Sequence, residues 1–202
     1  MKVLSYNIQC DGSNYSERLV KILKFVKREN PDIISFQEVK YGSYKTILSK
    51  LEEYNCYLSN RVEYNRMYGE ILLTKFEINQ ASYTGYGESP NIRGLTKYHV
   101  SDDIVILTTH LEHQPKYNKK QVSEIKKQLG NAKVILLGDF NFFDEEPVFE
   151  LKDAGKELGN TFVSKKYKSR PDRIYYSGFN PLKYRIDESG LSDHKAIIAE
   201  FF

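Results

Sequence analysis

Seven short runs rich in β-branched and other apolar residues punctuate this chain: KVLSYNI, DIISFQE, EILLTKF, DIVILTTH, KVILLGDF, DRIYYS and KAIIAEFF. Several are almost continuously apolar, which suits strands buried on both faces within a covered sheet. Amphipathic patterns lie between them. In SERLVKILKFVKRENPD, Leu19, Ile22, Leu23 and Val26 fall at i, i+3, i+4 and i+7, with Ser16 placed to cap the start and Asn30-Pro31 to end the helix. SYKTILSKLEE repeats the pattern with Ile47, Leu48 and Leu51, and KYNKKQVSEIKKQLGN does so with Val122, Ile125 and Leu129, Gly130 standing as its C′ glycine. From Lys75 to His110, strand-like runs follow one another with only Gly and Pro punctuation, the mark of an antiparallel meander. Parallel and antiparallel pairing must therefore coexist, and the fold class is α/β with mixed sheets.

A length of 202 residues supports one sizeable core and leaves little room for a second, so one domain over residues 1–202 is expected. No run approaches the roughly 18 apolar residues of a membrane span, and the N-terminus lacks a sustained apolar signal segment. A soluble intracellular protein without a membrane partner is the expectation. Cys10 and Cys56 form neither a CxxC pair nor a framework, so unpaired thiols in a reducing compartment are expected and structural zinc is not. The net charge of +3 permits a phosphate-bearing partner without demanding one. Lys116, Lys119, Lys120, Lys126 and Lys127 read as a solvated helix face.

Four apolar runs end alike, in a polar group capable of chemistry: Asn7, Glu38, His110, and Asp139 with Asn141. Singly, each has an ordinary role as a cap, turn or strand end. Together they matter, because strand C-terminal ends form the ligand-binding edge of an α/β sheet. Asp193 and His194 join that edge only if the last strand runs antiparallel. Acids, amides and histidines without cysteine suit a hard cation such as Mg²⁺ or Mn²⁺, with donors left over for an anion. Phosphoryl hydrolysis needs that mixture: charge neutralisation, an oriented water, and donors aimed at developing negative charge.

The ordered motifs SYNIQ, FQEV, TTHLE, LGDFN, RPDRIYYS and LSDHKAI, running from residue 3 to the C-terminus, resemble those of the Mg²⁺-dependent endonuclease/exonuclease/phosphatase superfamily. The resemblance implies a four-layer sandwich, two mixed β-sheets with helices on both outer faces. It implies Glu38 as the principal Mg²⁺ ligand, with Asn7 beside it and Asp193 adjoining the metal. Asp139 matches the residue that orients or deprotonates the attacking water, and Asn141 an amide holding water or phosphate. His194 matches a donor to the phosphoryl oxygens, Asp172 the aspartate that orients it, and His110 a second phosphate-contacting histidine.

Within the superfamily, THLE combined with GDxN and DRIYY is most similar to the 5′-tyrosyl-DNA phosphodiesterases. These hydrolyse the bond between a trapped topoisomerase tyrosine and a 5′-phosphate. The implied partner is the 5′ end of DNA, with RNA left open, carrying a covalently attached tyrosine or peptide; a monomer is expected. Arg93 lies where such enzymes carry a basic residue and is assigned to substrate phosphate. Two departures stand out: the sequence begins directly at its first strand, so the ubiquitin-binding region of the animal enzymes is expected to be missing, and His113 stands where those enzymes often have a small hydroxyl residue. Competing readings are an exonuclease III-type abasic endonuclease, whose tryptophan-containing loops this chain lacks, and an inositol-polyphosphate 5-phosphatase, whose Cys-containing motif is absent before DRI. A non-catalytic DNA-binding or interaction domain is a fourth, set against the completeness of the polar set.

Overall fold

The computed structural model describes residues 1–11, 14–59, 68–142, 149–164 and 168–202. Strand β1 (Lys2–Asn7) pairs in parallel with β2 (Ile33–Val39), a geometry that requires the crossover supplied by helix α1 (Tyr15–Glu29). After helix α2 (Tyr41–Lys50), β3 (Asn55–Leu58) and β4 (Gly69–Thr74) add antiparallel to the β2 side. The C-terminal strands β13 (Pro181–Ile186) and β14 (Ile197–Phe201) close the first sheet on the other side, in the order β13-β14-β1-β2-β4-β3.

The second sheet has the same plan. Strands β5 (Gln80–Gly85), β6 (Gly94–Ser101) and β7 (Ile104–His110) form the expected meander. Helix α3 (Pro115–Lys126) then crosses to β8 (Lys133–Asp139), parallel to β7. Two residues of β9 (Lys152–Asp153) and β12 (Asp172–Ser177) complete the order β5-β6-β7-β8-β12-β9. Between them in sequence, β10 (Phe162–Val163) and β11 (Lys168–Ser169) make a separate ribbon.

Side-chain alternation sorts the apolar residues into three cores. Val3, Ile33, Ile106, Ile135, Ile174 and Ile197 fill the space between the sheets. Leu4, Tyr6, Ile34 and Phe36 face α1 and its Leu19, Ile22 and Val26 on one outer side. Leu107, Leu136 and Phe140 face Val122 and Ile125 of α3 on the other. This is the expected four-layer sandwich of two mixed sheets flanked by helices.

Local details depart from the sequence reading at the helix ends. Helix α1 begins at Tyr15, its N-cap is Asn14 in a left-handed conformation (φ 63°), and no side chain caps it, so Ser16 lies inside the first turn. Its end is as expected: Asn30 is left-handed (φ 50°) and donates its N–H to Val26 O, and Pro31 follows. Helix α3 stops at Lys126, and Gln128 and Leu129 donate to Ile125 and Lys126 in tight turns, so Gly130 does not cap it. The five lysines of that segment are exposed. Both cysteines are free, and burial pushes each thiol up to about 12, with Glu38 adding to the effect at Cys10. No helix among the described residues is long and apolar enough to cross a membrane.

Candidate active site

The inter-sheet layer is apolar at one end and turns polar at the other. Along its inward faces Val3 is followed by Ser5 and Asn7, Ile33 by Ser35 and Gln37, Ile106 by Thr108 and His110, and Leu137 by Asp139. All seven of these polar side chains are buried. Register aligns the mouth of this layer. His110 of β7 is opposite Asp139 of β8, and Asp139 is in turn opposite Asp172 of β12. On the facing sheet Asn7 is opposite Gln37. Strand β14 runs antiparallel to β1, which brings the preceding His194 to the same end.

Glu38 needs a break in the alternation. Following inward-facing Gln37, it would turn to the helix-covered outer side beside Phe36. Its left-handed backbone (φ 61°) lies at a shift in the β2–β4 register between Phe36 and Val39, and the side chain is turned back to the mouth. Such a conformation costs a non-glycine residue roughly 1–2 kcal/mol. Gly138 serves a different need. Its φ is 146°, and a Cβ there would lie 1.8 Å from Thr109 O, so no side chain fits where β8 pairs with β7. Phe140 then packs outward against Tyr175, leaving Asp139 turned inward.

Oδ2 of Asp139 is the hub. It accepts from Asn7 Nδ2 at 3.0 Å and lies 3.3 Å from His110 Nε2 and 3.8 Å from His194 Nε2, while Oδ1 accepts the Asn141 N–H at 2.9 Å. The same Asn7 amide donates to Glu38 Oε1 at 3.3 Å. Its orientation is settled because Asn7 Oδ1 accepts the Gln9 N–H at 3.0 Å, so the amide presents its NH₂ to both acids. Glu38 Oε2 accepts the Cys10 N–H at 3.0 Å.

Each histidine is held from behind. His194 Nδ1 lies 2.8 Å from Asp172 Oδ2, and its ring rests on Phe162 at 5.0 Å. Burial opposes the imidazolium, but Asp172, Asp139 and Asp193 together outweigh it and push His194 up to about 10. Asp139 is raised above the usual carboxylate range by burial; His194 opposes the shift and Asp172 adds to it. His110 Nδ1 lies 2.6 Å from Arg93 Nη1. A guanidinium only donates, so Nδ1 accepts and the ring carries its proton on Nε2, aimed at Asp139.

Asn7, Glu38, His110, Asp139, Asp172 and His194 thus form one connected set. Asn141 joins through its backbone, left-handed at φ 51°, and its amide donates to Leu111 O at 2.9 Å. Asp193 is half-buried beside the set, with Oδ1 accepting from Ser192 Oγ at 3.2 Å. Arg93 is 5% exposed and lies behind His110, its Nη2 donating to Tyr68 OH at 3.1 Å and Nη1 lying 4.0 Å from Glu70. Arg173, next to Asp172 in the sequence, is buried and turned away from it, with Nη1 3.3 Å from Asp153.

Other supports went unrecognised in the sequence. Glu112 of THLE is 1% exposed and accepts from Ser89 Oγ, Asn91 N and Asn91 Nδ2, tying the loop before Arg93 to the end of β7. Burial alone would raise its carboxyl, yet these donors bring it below the usual range. Asn118 and Gln121, polar residues on the buried face of α3, hold the two neighbouring loops. Asn118 Nδ2 donates to Asn141 O at 3.1 Å, and Gln121 Oε1 accepts the Glu112 N–H at 2.9 Å. A polar i, i+3 pair interrupting an apolar helix stripe was the available signal.

The donor set is suited to a hard cation. Asp139, Asp172 and His194 offer ligand atoms within 4.8 Å of one another, but the 2.8 Å contact between Asp172 and His194 marks that trio as a hydrogen-bonded chain. Half-buried Glu38 is the more accessible oxygen donor. Three carboxylates, Glu38, Asp139 and Asp172, gather at this mouth, and Asp172 Oδ1 is buried without a partner among the described residues. That excess negative charge fits a cation.

The sequence matches the Endonuclease/Exonuclease/phosphatase family over residues 4–194. The chain belongs to that family. Its members are metal-dependent phosphoric-ester hydrolases, and the buried acid and histidine cluster accords with membership. A 5′-tyrosyl-DNA phosphodiesterase of Caenorhabditis elegans is 30% identical over 246 residues, an alignment covering 100% of this chain and 67% of that relative. The crystal structure of truncated Caenorhabditis elegans TDP2 superposes with a TM-score of 0.78 at 26% identity, covering 100% of this chain and 96% of that one. A humanized D. rerio TDP2 carrying 14 mutations has a TM-score of 0.85 at 17% identity, over 100% and 98% of the two chains, and so shares the fold.

Proposed function

We propose that this chain is a divalent-cation-dependent phosphodiesterase that cleaves the ester between a protein tyrosine and the 5′ end of DNA, leaving a 5′-phosphate on the DNA. The observation that carries the reading is the convergence of Asn7, His110 and His194 on Oδ2 of Asp139. The choice of substrate rests on the likeness to the Caenorhabditis elegans 5′-tyrosyl-DNA phosphodiesterase.

Glu38 would hold Mg²⁺, or Mn²⁺ in its place, with Asp193 adjoining, and the bound cation would supply neutralisation of charge on the scissile phosphate. Asp139 accepts a proton from the attacking water. Its raised affinity for protons suits a general base, and the Asn7 amide and Asn141 N–H keep both carboxylate oxygens in position. His194, kept protonated by Asp172, donates to a phosphoryl oxygen as negative charge develops there. His110 donates from Nε2 to Asp139 and so helps hold that carboxylate, and Arg93 acts by keeping Nδ1 an acceptor. Asn141 holds the loop on which the water-orienting carboxylate depends.

The test incubates the protein and Mg²⁺ with a 5′-phosphotyrosyl oligonucleotide and, separately, with a duplex containing an abasic site, each with and without EDTA. Release of a 5′-phosphorylated oligonucleotide from the first, abolished by EDTA, is expected. Preferential incision of the abasic duplex would overturn the tyrosyl assignment and leave the family intact.

A further inference from the structure

Arg18, in the first turn of α1, spends its guanidinium on backbone. Nη1 donates to Ile8 O at 2.7 Å and to Leu191 O at 3.3 Å, and Nη2 donates to Gln9 O at 2.6 Å and Asp11 O at 3.1 Å. All four acceptors are neutral carbonyls. They belong to two segments far apart in sequence, one leaving β1 just after Asn7 and one leading into Ser192, Asp193 and His194.

The local geometry explains why an arginine is needed. Successive carbonyls of an extended chain point in opposite directions. Gln9 is left-handed (φ 50°), and this turns the Ile8 and Gln9 carbonyls to one side, where a planar fork binds both. The same turn sends the Gln9 N–H to Asn7 Oδ1 and the Cys10 N–H to Glu38 Oε2. On the other segment Ser192 Oγ donates to Asn7 O at 2.8 Å, a second tie between the two strands' ends.

From these contacts we infer that Arg18 is a positioning residue. It holds the turn after β1 in the form that orients Asn7 and Glu38, and it sets the distance from that turn to the segment carrying His194. The cation end and the imidazolium end of the site are thereby placed together by one side chain that touches neither.

The inference rests on the proposed reaction, so its test includes a readout independent of turnover. Parent, Arg18→Ala and Arg18→Lys proteins are compared for Mn²⁺ affinity by electron paramagnetic resonance, for thermal midpoint, and for hydrolysis of thymidine 5′-(p-nitrophenyl phosphate). Both variants should lose about tenfold to a hundredfold in kcat and Mn²⁺ affinity, the range for removing a support behind a metal ligand. KM should stay within about twofold in both. Lysine should fail like alanine, because an ammonium cannot bridge diverging carbonyls in one plane. Added guanidinium at low, non-denaturing concentration should restore part of the Arg18→Ala turnover and none of the Arg18→Lys turnover. Parental Mn²⁺ affinity and kcat in Arg18→Ala would overturn the inference, as would losses that follow the thermal midpoint and resist guanidinium. A parent inactive on the ester but with Mn²⁺ affinity that falls in both variants would refute the reaction and leave the positioning role standing.

Discussion

Nδ1 of His194 stands 2.8 Å from Oδ2 of Asp172, a carboxylate with no solvent exposure, while the other ring nitrogen stands 3.8 Å from Asp139. An imidazole between two buried acids holds its proton tightly. Its folded value of about 10 lies above the unfolded 6.5, so the stability it contributes is fully present below 6.5 and is lost as pH rises through about 10. If protonated His194 donates to phosphate, turnover should fall on the alkaline side near that value. Asp172→Asn removes the main opposing charge, and the alkaline limb should move down by roughly one to three pH units. A pH–rate profile measured with saturating Mg²⁺ checks this, and an unmoved limb assigns it to another group.

Asp139 is displaced in the same direction for a different reason, burial first and Asp172 next. A carboxyl whose folded value is raised binds its proton more tightly than in the unfolded chain, so its linked stability is greatest in acid and is lost as pH rises through the folded value. If Asp139 accepts the water's proton, activity requires its ionised form, and the acid limb of turnover should lie above the ordinary carboxylate range. Asp139→Asn should lower kcat at least about a hundredfold at neutral pH, the usual cost of losing a general base. Stopped assays of oligonucleotide 5′-phosphate measure it, and parental turnover would return Asp139 to a structural role.

The proton position on His110 follows from Arg93 alone, since Nη1 at 2.6 Å leaves Nδ1 no role but acceptor. Nitrogen-15 NMR of the parent should find His110 protonated on Nε2 with Nδ1 bare. In Arg93→Met the ring should populate both tautomers, and turnover should fall about tenfold to a hundredfold as the donor to Asp139 is lost part of the time. A single unchanged tautomer in the variant would detach Arg93 from this role.

Much of this site was legible because strands announce their ends. Asn7, His110 and Asp139 each terminate an apolar run, and parallel pairing brings such ends to one edge without further information. Glu38 was legible as a residue but not as a conformation, since nothing in FQEV signals the left-handed turn that re-aims it. Arg93 was read as a basic group near phosphate because sequence gives charge without direction, and its direction is set by Tyr68 and His110, the latter on a neighbouring strand. Strand β13 leaves little trace in the sequence because an edge strand such as PLKYRI is partly exposed throughout and lacks the apolar continuity of the central ones. The misplaced caps at Ser16 and Gly130 have a related cause: asparagine left-handed at position 14 and tight turns after Ile125 did the work that serine and glycine more often do.

Gly138 is the position where backbone geometry alone decides tolerance. A methyl group there meets Thr109 O at 1.8 Å and also demands φ of 146° from an alanine. Separating β7 from β8 would disturb the rung that aligns His110, Asp139 and Asp172. Gly138→Ala should therefore destabilise by at least roughly 3 kcal/mol, among the largest single-site effects. Urea unfolding followed by circular dichroism reads the loss, and a midpoint shared with the parent would mean that β7 and β8 separate freely.

Glu38 stands at the register shift of β2 with its side chain turned to the mouth of the site. Among the described residues its Oε1 receives only the long 3.3 Å bond from Asn7, whereas Oε2 is fixed by Cys10 N–H at 3.0 Å. One oxygen is thus oriented by backbone and the other is open to a cation. Glu38→Gln keeps size and shape but removes the charge and places an NH₂ where an acceptor is needed. The Mg²⁺ concentration giving half-maximal turnover should rise at least about tenfold, while the thermal midpoint without Mg²⁺ stays close to the parent's or increases slightly, because one of three crowded carboxylates has been neutralised. Titrating Mg²⁺ into both proteins under identical substrate separates the outcomes. A variant curve that overlays the parent's would exclude Glu38 as the ligand and move the cation toward Asp139 and Asp172.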